Sequence, residues 1–407
     1  MKLYTLFFFS IIITSQVIGQ GFENKAFLVL KNAVEGADFE IESDTSEGIS
    51  SQTGAAAAQL IRIEHRSEGL VYTKRYAPNV GLSRNKTIGL SRDSNLVIHA
   101  QWYPDIGKAF PPHQIMAYHP ETLEPLDSIS LSSNPLALSV HPAGEFIATV
   151  VDSVGAEIAI TRIKDGKFGQ TFYFPTGVQT SIRIRATNVE WHPSGQYLAI
   201  TLEETSMVVF YKLSLLGTRP VIQMNNNPLK LGELPETGHF TPDGKHFLLT
   251  DSNHRREPGR LLAIRCDFRQ GGKHGLVAYA GVGVDPESFA ISPDGKKVVV
   301  VNLESTHLTY IKPETQEEKS TLQLFDRDSA SGKLKLLSTL PYNGVLPTGV
   351  QFSEDQLMIA VLAYTTLGKE QGAIDFFSIE GDQLIAKPDL QIPLPKGPHA
   401  MIILDNN

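Results

Sequence analysis

One cysteine, Cys266, stands in a chain of 407 residues, so no intrachain disulfide can form and an oxidising compartment adds no covalent staple to the fold. Alone, it reads as a small buried apolar residue rather than a nucleophile. Cys-x-x-Cys pairs, His-Glu-x-x-His, Gly-x-Ser-x-Gly and a phosphate-cradling glycine loop are all missing. Iron–sulfur, zinc-protease, serine-hydrolase and nucleotide readings therefore lack their basic chemistry, and no cofactor is expected. Positive charge is short as well. With 36 Lys and Arg against 44 Asp and Glu, the net charge is −8, which argues against nucleic acid as a partner.

A membrane-crossing run is lacking too. The apolar stretch from Leu6 to Ile13, preceded by Lys2, is shorter than the ~20 residues that span a bilayer. It matches a secretory signal peptide over Met1 to Gly19, with small residues Val17 and Gly19 at the cleavage site and Gln20 as the mature N-terminus. Export to a periplasmic or extracellular location follows, with no transmembrane anchor.

What the chain does have is a repeat. Ser292-Pro293-Asp294-Gly295 is a tight turn feeding the β-branched run Val298-Val299-Val300-Val301, and it recurs as His141-Pro142-Ala143-Gly144, His192-Pro193-Ser194-Gly195 and Thr241-Pro242-Asp243-Gly244. The prolines lie 51, 49 and 51 residues apart, a period typical of arrays and propellers. Weaker copies stand at Ser91-Arg92-Asp93-Ser94 and Ser353-Glu354-Asp355-Gln356. Outer hairpins are legible between the turns, for example Glu157–Ile163 into Lys167–Phe174 across Lys164-Asp165-Gly166. Each period holds four short strands, the size of one propeller blade. Upstream, a helical turn is expected over Ala55–Leu60, with strands near Leu60–Glu64 and Leu70–Tyr76.

Six turns are visible in the interior, and the chain stops just where a seventh would follow Gly397-Pro398-His399. If the C-terminal strand is innermost and Phe27–Leu30 pairs with it, the two ends complete one blade and no sheet edge is left open. The expectation is an all-β, seven-bladed propeller with four-stranded blades, forming a single domain over 20–407.

The turn-plus-strand copies, the hairpin Phe325–Leu334 and the proline-led run-ins Asp285-Pro286-Glu287 and Gly397-Pro398-His399 resemble the seven-bladed lactonase-like propellers. That family includes 6-phosphogluconolactonase-type enzymes and a muconate cycloisomerase. The resemblance implies a site where the innermost strands begin. Five places before each turn stand Lys86, Leu136, Thr187, Glu236, Glu287, Thr348 and, in the closing blade, His399. At the ends of the second strands the copies place Gln101, Asp251 and Asn302, with Glu304 just beyond. The family tends to carry arginine or histidine after the run-in proline; His399 fits that pattern, whereas Glu287 and Thr348 depart from it.

Opening a lactone needs a base for water and a donor for the carbonyl oxygen. Glu287 and His399 are the candidate bases and Lys86 the electrophilic partner, with Glu236, Asp251, Asn302, Glu304, Thr187 and Thr348 as candidate ligand-binding residues. Glu236, Glu287, Asp251 and Asn302 also offer hard oxygens of the kind calcium takes, without a recognisable calcium loop. Three readings stay open. One is a secreted lactonase-like hydrolase or isomerase acting on a small sugar-acid or carboxylate lactone. Another is a non-catalytic propeller that binds a small molecule, glycan or protein. The third is a structural or surface-associated propeller with no small ligand.

Overall fold

A computed structural model describes residues 22, 25–31, 58–66, 69–77, 88–91, 96–102, 113–180, 184–253, 257–304, 306, 319–369 and 371–405. The expected signal peptide over 1–19 and Lys86 lie outside them. The described strands form seven antiparallel sheets, six of them begun by a strand that follows a run-in and continued by the strand that follows a turn. Sheet 1 starts with Ile88–Leu90 and Val97–Trp102, sheet 2 with Pro135–Val140 and Phe146–Val151, and sheet 3 with Ala186–Trp191 and Tyr197–Leu202. Sheet 4 starts with Pro235–Phe240 and His246–Asp251, sheet 5 with Pro286–Ile291 and Lys297–Asn302, and sheet 6 with Gly344–Phe352 and Met358–Thr366.

Sheet 7 joins the two ends of the chain. Its order is Pro398–Asp405, Lys25–Lys31, Ala58–Arg66, Gly69–Ala77, and Phe27 stands opposite Ile403 while Leu28 stands opposite Ile402. The helical turn expected at Ala55–Leu60 is corrected here: from Ala58 the chain is already strand, because these residues supply the third rung of sheet 7.

Among the described residues the core is a set of seven apolar layers, each between two neighbouring sheets. Val298 and Val300 pack toward sheet 4 with Leu248, Leu261 and Phe325, while Val299 and Val301 pack toward sheet 6 with Val350, Ile359 and Val361. Alternate side chains of a strand point to opposite faces, so a second strand buried on both faces must be apolar throughout. That is why the run after each turn shows no polar alternation. The same division occurs in sheet 2, where Phe146, Ala148 and Val150 face sheet 3 and Ile147 and Val151 face sheet 1. Two further layers place Phe27 and Val29 against sheet 6 and Ala26 and Leu28 against sheet 1.

Turn chemistry repeats with the layers. The hydroxyls of Thr241, Ser292 and Ser353 bond the Asp two residues on, at 2.6, 2.7 and 2.6 Å. Each turn then ends in a left-handed residue, Gly244 at φ 67°, Gly295 at 73° and Gln356 at 64°. A side chain at positive φ costs roughly 1–2 kcal/mol. In the first copies a histidine spans to the next sheet. His141 Nε2 donates to the Gly195 carbonyl and His192 Nε2 to the Gly244 carbonyl, both at 3.0 Å, while each Nδ1 accepts a backbone N–H of its own turn. A Cβ at Gly195 or Gly244 would overlap that imidazole, so glycine serves conformation and contact together. Where Thr241 replaces the histidine, Arg327 Nε supplies the donor to the Gly295 carbonyl at 2.6 Å.

Two predictions follow from this packing. Gln356→Gly removes the positive-φ strain and raises stability by about 1 kcal/mol, read as a shift in the denaturation midpoint. His99 lies in the layer beside Val97, is wholly buried, and neither ring nitrogen has a partner. Burial pushes its pKa down to about 3 and that of His274 to about 4, and lowers those of His141, His192 and His246. The unfolded chain then binds more protons than the folded one below about pH 6.5, so stability is full above that value and falls as pH drops. His99→Leu should flatten this acid limb by up to one proton and raise stability at pH 7 by about 1–3 kcal/mol, because no buried polar group is left unmet. An unchanged pH slope in urea titrations would count against neutral burial of His99.

Candidate functional site

At one end of the first strands the pairing register slips, and it slips at the same place in sheet after sheet. Pro135 and Ala137 pair with consecutive residues Val151 and Val150, leaving Leu136 as an extra residue. Thr187, Glu287 and Thr348 are extra in the same way, Glu236 and Thr237 together oppose Thr250, and in the last strand His399 is passed over between Pro398 and Ala400. A bulge re-aims a side chain and commonly borders an active site. The proline before most of these residues explains the slip, since it lacks the N–H that a regular ladder would use.

Thr187, Glu236, Glu287, Thr348 and His399 are all half-buried, and Leu136 is buried. The hydroxyls of Thr187 and Thr348 are buried without a hydrogen-bond partner. Neighbouring bulges are tied together, because the Thr237 hydroxyl donates to the Glu287 carbonyl at 2.8 Å. Six of the seven aligned positions thus share one backbone feature; the seventh, Lys86, is outside the described residues.

The second-strand candidates are placed differently. Asp251 stands opposite Pro235, but its carboxylate is wholly buried and committed: Arg260 donates at 2.6 and 3.1 Å, and the N–H groups of Glu233 and Leu234 donate at 2.7 and 2.9 Å. It holds the entry to sheet 4 rather than presenting an open oxygen. Asn302 stands opposite Pro286 and donates to Thr321 and Gln323, each at 3.1 Å, while its Oδ1 is buried and unpartnered. Glu304 accepts from the Thr321 hydroxyl at 2.7 Å and from the Val284 N–H at 3.1 Å. Gly283 makes room for this pair, since a Cβ there would overlap the Glu304 carboxylate. Among the described residues no group of three or more His, Cys, Asp or Glu is arranged to hold a metal, and the four proposed calcium ligands do not form one.

Three residues beyond the bulge, each first strand exposes a second position. In Ala186–Trp191 these two are Thr187 and Glu190, and in Pro235–Phe240 they are Glu236 and His239. Glu190 and His239 meet across the two sheets, Oε1 to Nδ1 at 3.5 Å, and Ser139 Oγ lies 3.5 Å from the other carboxylate oxygen. Their side chains are 28% and 38% exposed, so both reach solvent. This acid–base pair was not singled out from sequence. Its signal was there, two places before each turn, where an acid and a base occupy one column of the repeat.

No family model and no curated sequence matches the chain. Solved structures do. A Bacteroides fragilis protein named for 6-phosphogluconolactonase activity shares 15% identity over 96% of this chain and 100% of its own, with a TM-score of 0.68. The periplasmic gluconolactonase of Pseudomonas aeruginosa shares 15% over 94% and 99%, with a TM-score of 0.66. A β-propeller domain from Myceliophteria thermophila shares 12% over 80% and 93%, at 0.56. The chain has a β-propeller fold. At these identities the likeness establishes the propeller and leaves its chemistry to the residues themselves.

The Asp251 assignment has a direct test. Asp251→Ala leaves Arg260 and two N–H groups without their acceptor and should cost about 3–5 kcal/mol of stability, measured by chemical denaturation. Loss of under 1 kcal/mol would mean that these donors find other partners.

Proposed function

We propose that the seven sheets are the blades of one closed propeller over residues 20–407, exported through the leader at 1–19. We further propose that the chain hydrolyses or isomerises a small sugar-acid or carboxylate lactone where the bulges gather at one end of the central channel. The first strands support the ring: each lies against the next from sheet 1 to sheet 6, and Pro398–Asp405 lies against those of sheets 6 and 1. The observation that carries the chemistry is the shared bulge, which presents Glu287, His399 and Glu236 beside two unpartnered threonine hydroxyls. The fold likeness to proteins named as lactonases agrees with it.

In this reading Glu287 or His399 takes a proton from water as its oxygen attacks the lactone carbonyl carbon. Lys86 stabilises the negative charge on the carbonyl oxygen, the acyl–oxygen bond breaks as the base returns its proton to the departing ring oxygen, and a hydroxy acid leaves. Thr187 and Thr348 offer hydroxyls to the ring substituents. Glu304 and Asn302 shape the wall between sheets 4 and 5.

The test is a pH-stat assay with gluconolactone and 6-phosphogluconolactone. Turnover should fall by roughly 10²–10⁴-fold in Glu287→Gln or His399→Ala, whichever is the base, with an unchanged melting temperature. Folded protein that releases no acid from either lactone, or that keeps full turnover in both variants, overturns the reading.

A further inference from the structure

The end of the sheets that carries the turns, opposite the bulges, holds a cleft of about 660 Å³ lined by Tyr197, Lys245, His246, Arg265, Phe268 and Arg269 among others. That volume suits a small ligand. Its walls come from three sheets. Tyr197 opens the second strand of sheet 3, Lys245 and His246 lead out of the Thr241–Gly244 turn, and Ala330 belongs to the outer hairpin of sheet 5. Part of the lining is apolar and rigid, because the Tyr197 and Phe268 rings stack at 3.9 Å with 17° between their planes.

The polar groups of this cleft are nearly all donors. Lys245 is 64% exposed at its side chain, with one carboxylate oxygen of Asp243 at 3.7 Å. Arg269 is held flat by Asp267 through two bonds of 2.8 and 2.6 Å. The Arg265 side chain is exposed and meets no acceptor among the described residues. Three cations thus face one lining carboxylate, Asp267, on a chain whose overall charge is −8.

His246 adds a donor of another kind. It is 1% exposed, and its Nδ1 lies 3.1 Å from Arg327 Nη1. A guanidinium only donates, so Nδ1 is the acceptor and the imidazole hydrogen sits on Nε2. That Nε2 has no acceptor. Gly332 packs so closely against the ring that a Cβ there would come within 2.9 Å of both Cδ2 and Nε2. Burial and the Arg327 charge lower its pKa, which keeps the ring a neutral donor. An unmet buried donor beside an exposed guanidinium without a hydrogen-bonded acceptor calls for an acceptor with negative charge.

We propose that this cleft binds a small oxyanion, a carboxylate or a phosphate monoester, between Lys245 and Arg265, with the Nε2–H of His246 as the neutral donor in its wall. The site is independent of the lactone chemistry, since it shares no residue with the bulged end.

The experiment is isothermal titration calorimetry of the purified protein with inorganic phosphate and, separately, with gluconate, at ionic strength held constant with sodium chloride. Saturable binding of at least one probe is expected, weakened at least tenfold in Arg265→Gln and in Lys245→Gln. Lys296→Gln, which removes a 69% exposed cation from the neighbouring turn, should bind as the parent does. Glu287→Gln should also bind normally, which separates the cleft from any product binding at the bulged end. Phosphate alone would assign a phosphate ester, and gluconate alone a carboxylate. Absence of saturable heat with both probes overturns the proposal, as does equal weakening by Lys296→Gln or full binding in the Arg265→Gln and Lys245→Gln variants.

Discussion

The hydrogen bonds between Lys25–Lys31 and Pro398–Asp405 are the constraint on which the other contacts rest. Without that ladder the last sheet would lose its inner pairing, and the layers on either side would lose Phe27 and Val29 or Ala26 and Leu28. Apolar burial stabilises by roughly 25 cal/mol per Å², so two opened layers outweigh the pairing itself. Each further layer depends on its neighbour being in place, which makes one antiparallel strand pair a condition for the packing of both chain ends. The sequence separation is nearly the whole chain, so this contact carries the largest loop-closure cost of the fold.

The turns act at shorter range. His141 and His192 bond their own turns through Nδ1, while Nε2 reaches the carbonyl of the following turn. Nothing local in a His-Pro-x-Gly tetrapeptide announces that second bond, because its acceptor lies about fifty residues on. Where the histidine is missing, Arg327 reaches the Gly295 carbonyl and leaves His246 Nδ1 to accept from its guanidinium. The unmet Nε2 hydrogen of His246 is thus a consequence of one break in the repeat.

Legibility in the sequence follows the same division. Positions set by backbone pattern were readable: the turn residues, the second strands buried on both faces, and the column Thr187, Glu236, Glu287, Thr348 and His399, which the fold places on bulges. Positions set by side-chain partners were not. Asp251 looked like a free oxygen ligand until the register put Arg260 directly opposite it. Glu190 and His239 look unremarkable singly, and only strand adjacency makes them a pair. The repeat aligns columns along the chain, whereas chemistry depends on contacts between columns, and those require the lateral order of the sheets.

The bulged end and the turn end differ in charge for a reason the repeat makes plain. Run-in positions sit on strands whose bulges expose single side chains, and here those include Glu236 and Glu287. A neutral lactone meets two carboxylates without net repulsion, whereas the hydroxy acid released from it is an anion and is repelled by them. At an effective dielectric near 20, like charges about 4 Å apart repel by about 4 kcal/mol before screening. On the proposed reading this favours product departure and disfavours a phosphorylated lactone over an uncharged one. The turn end, where Lys245 and Arg265 line the cleft, has the opposite preference on the proposal made for it. On these two proposals the same sheets hold a neutral ester at one end and an anion at the other, because the two ends are lined by different columns of the same repeat.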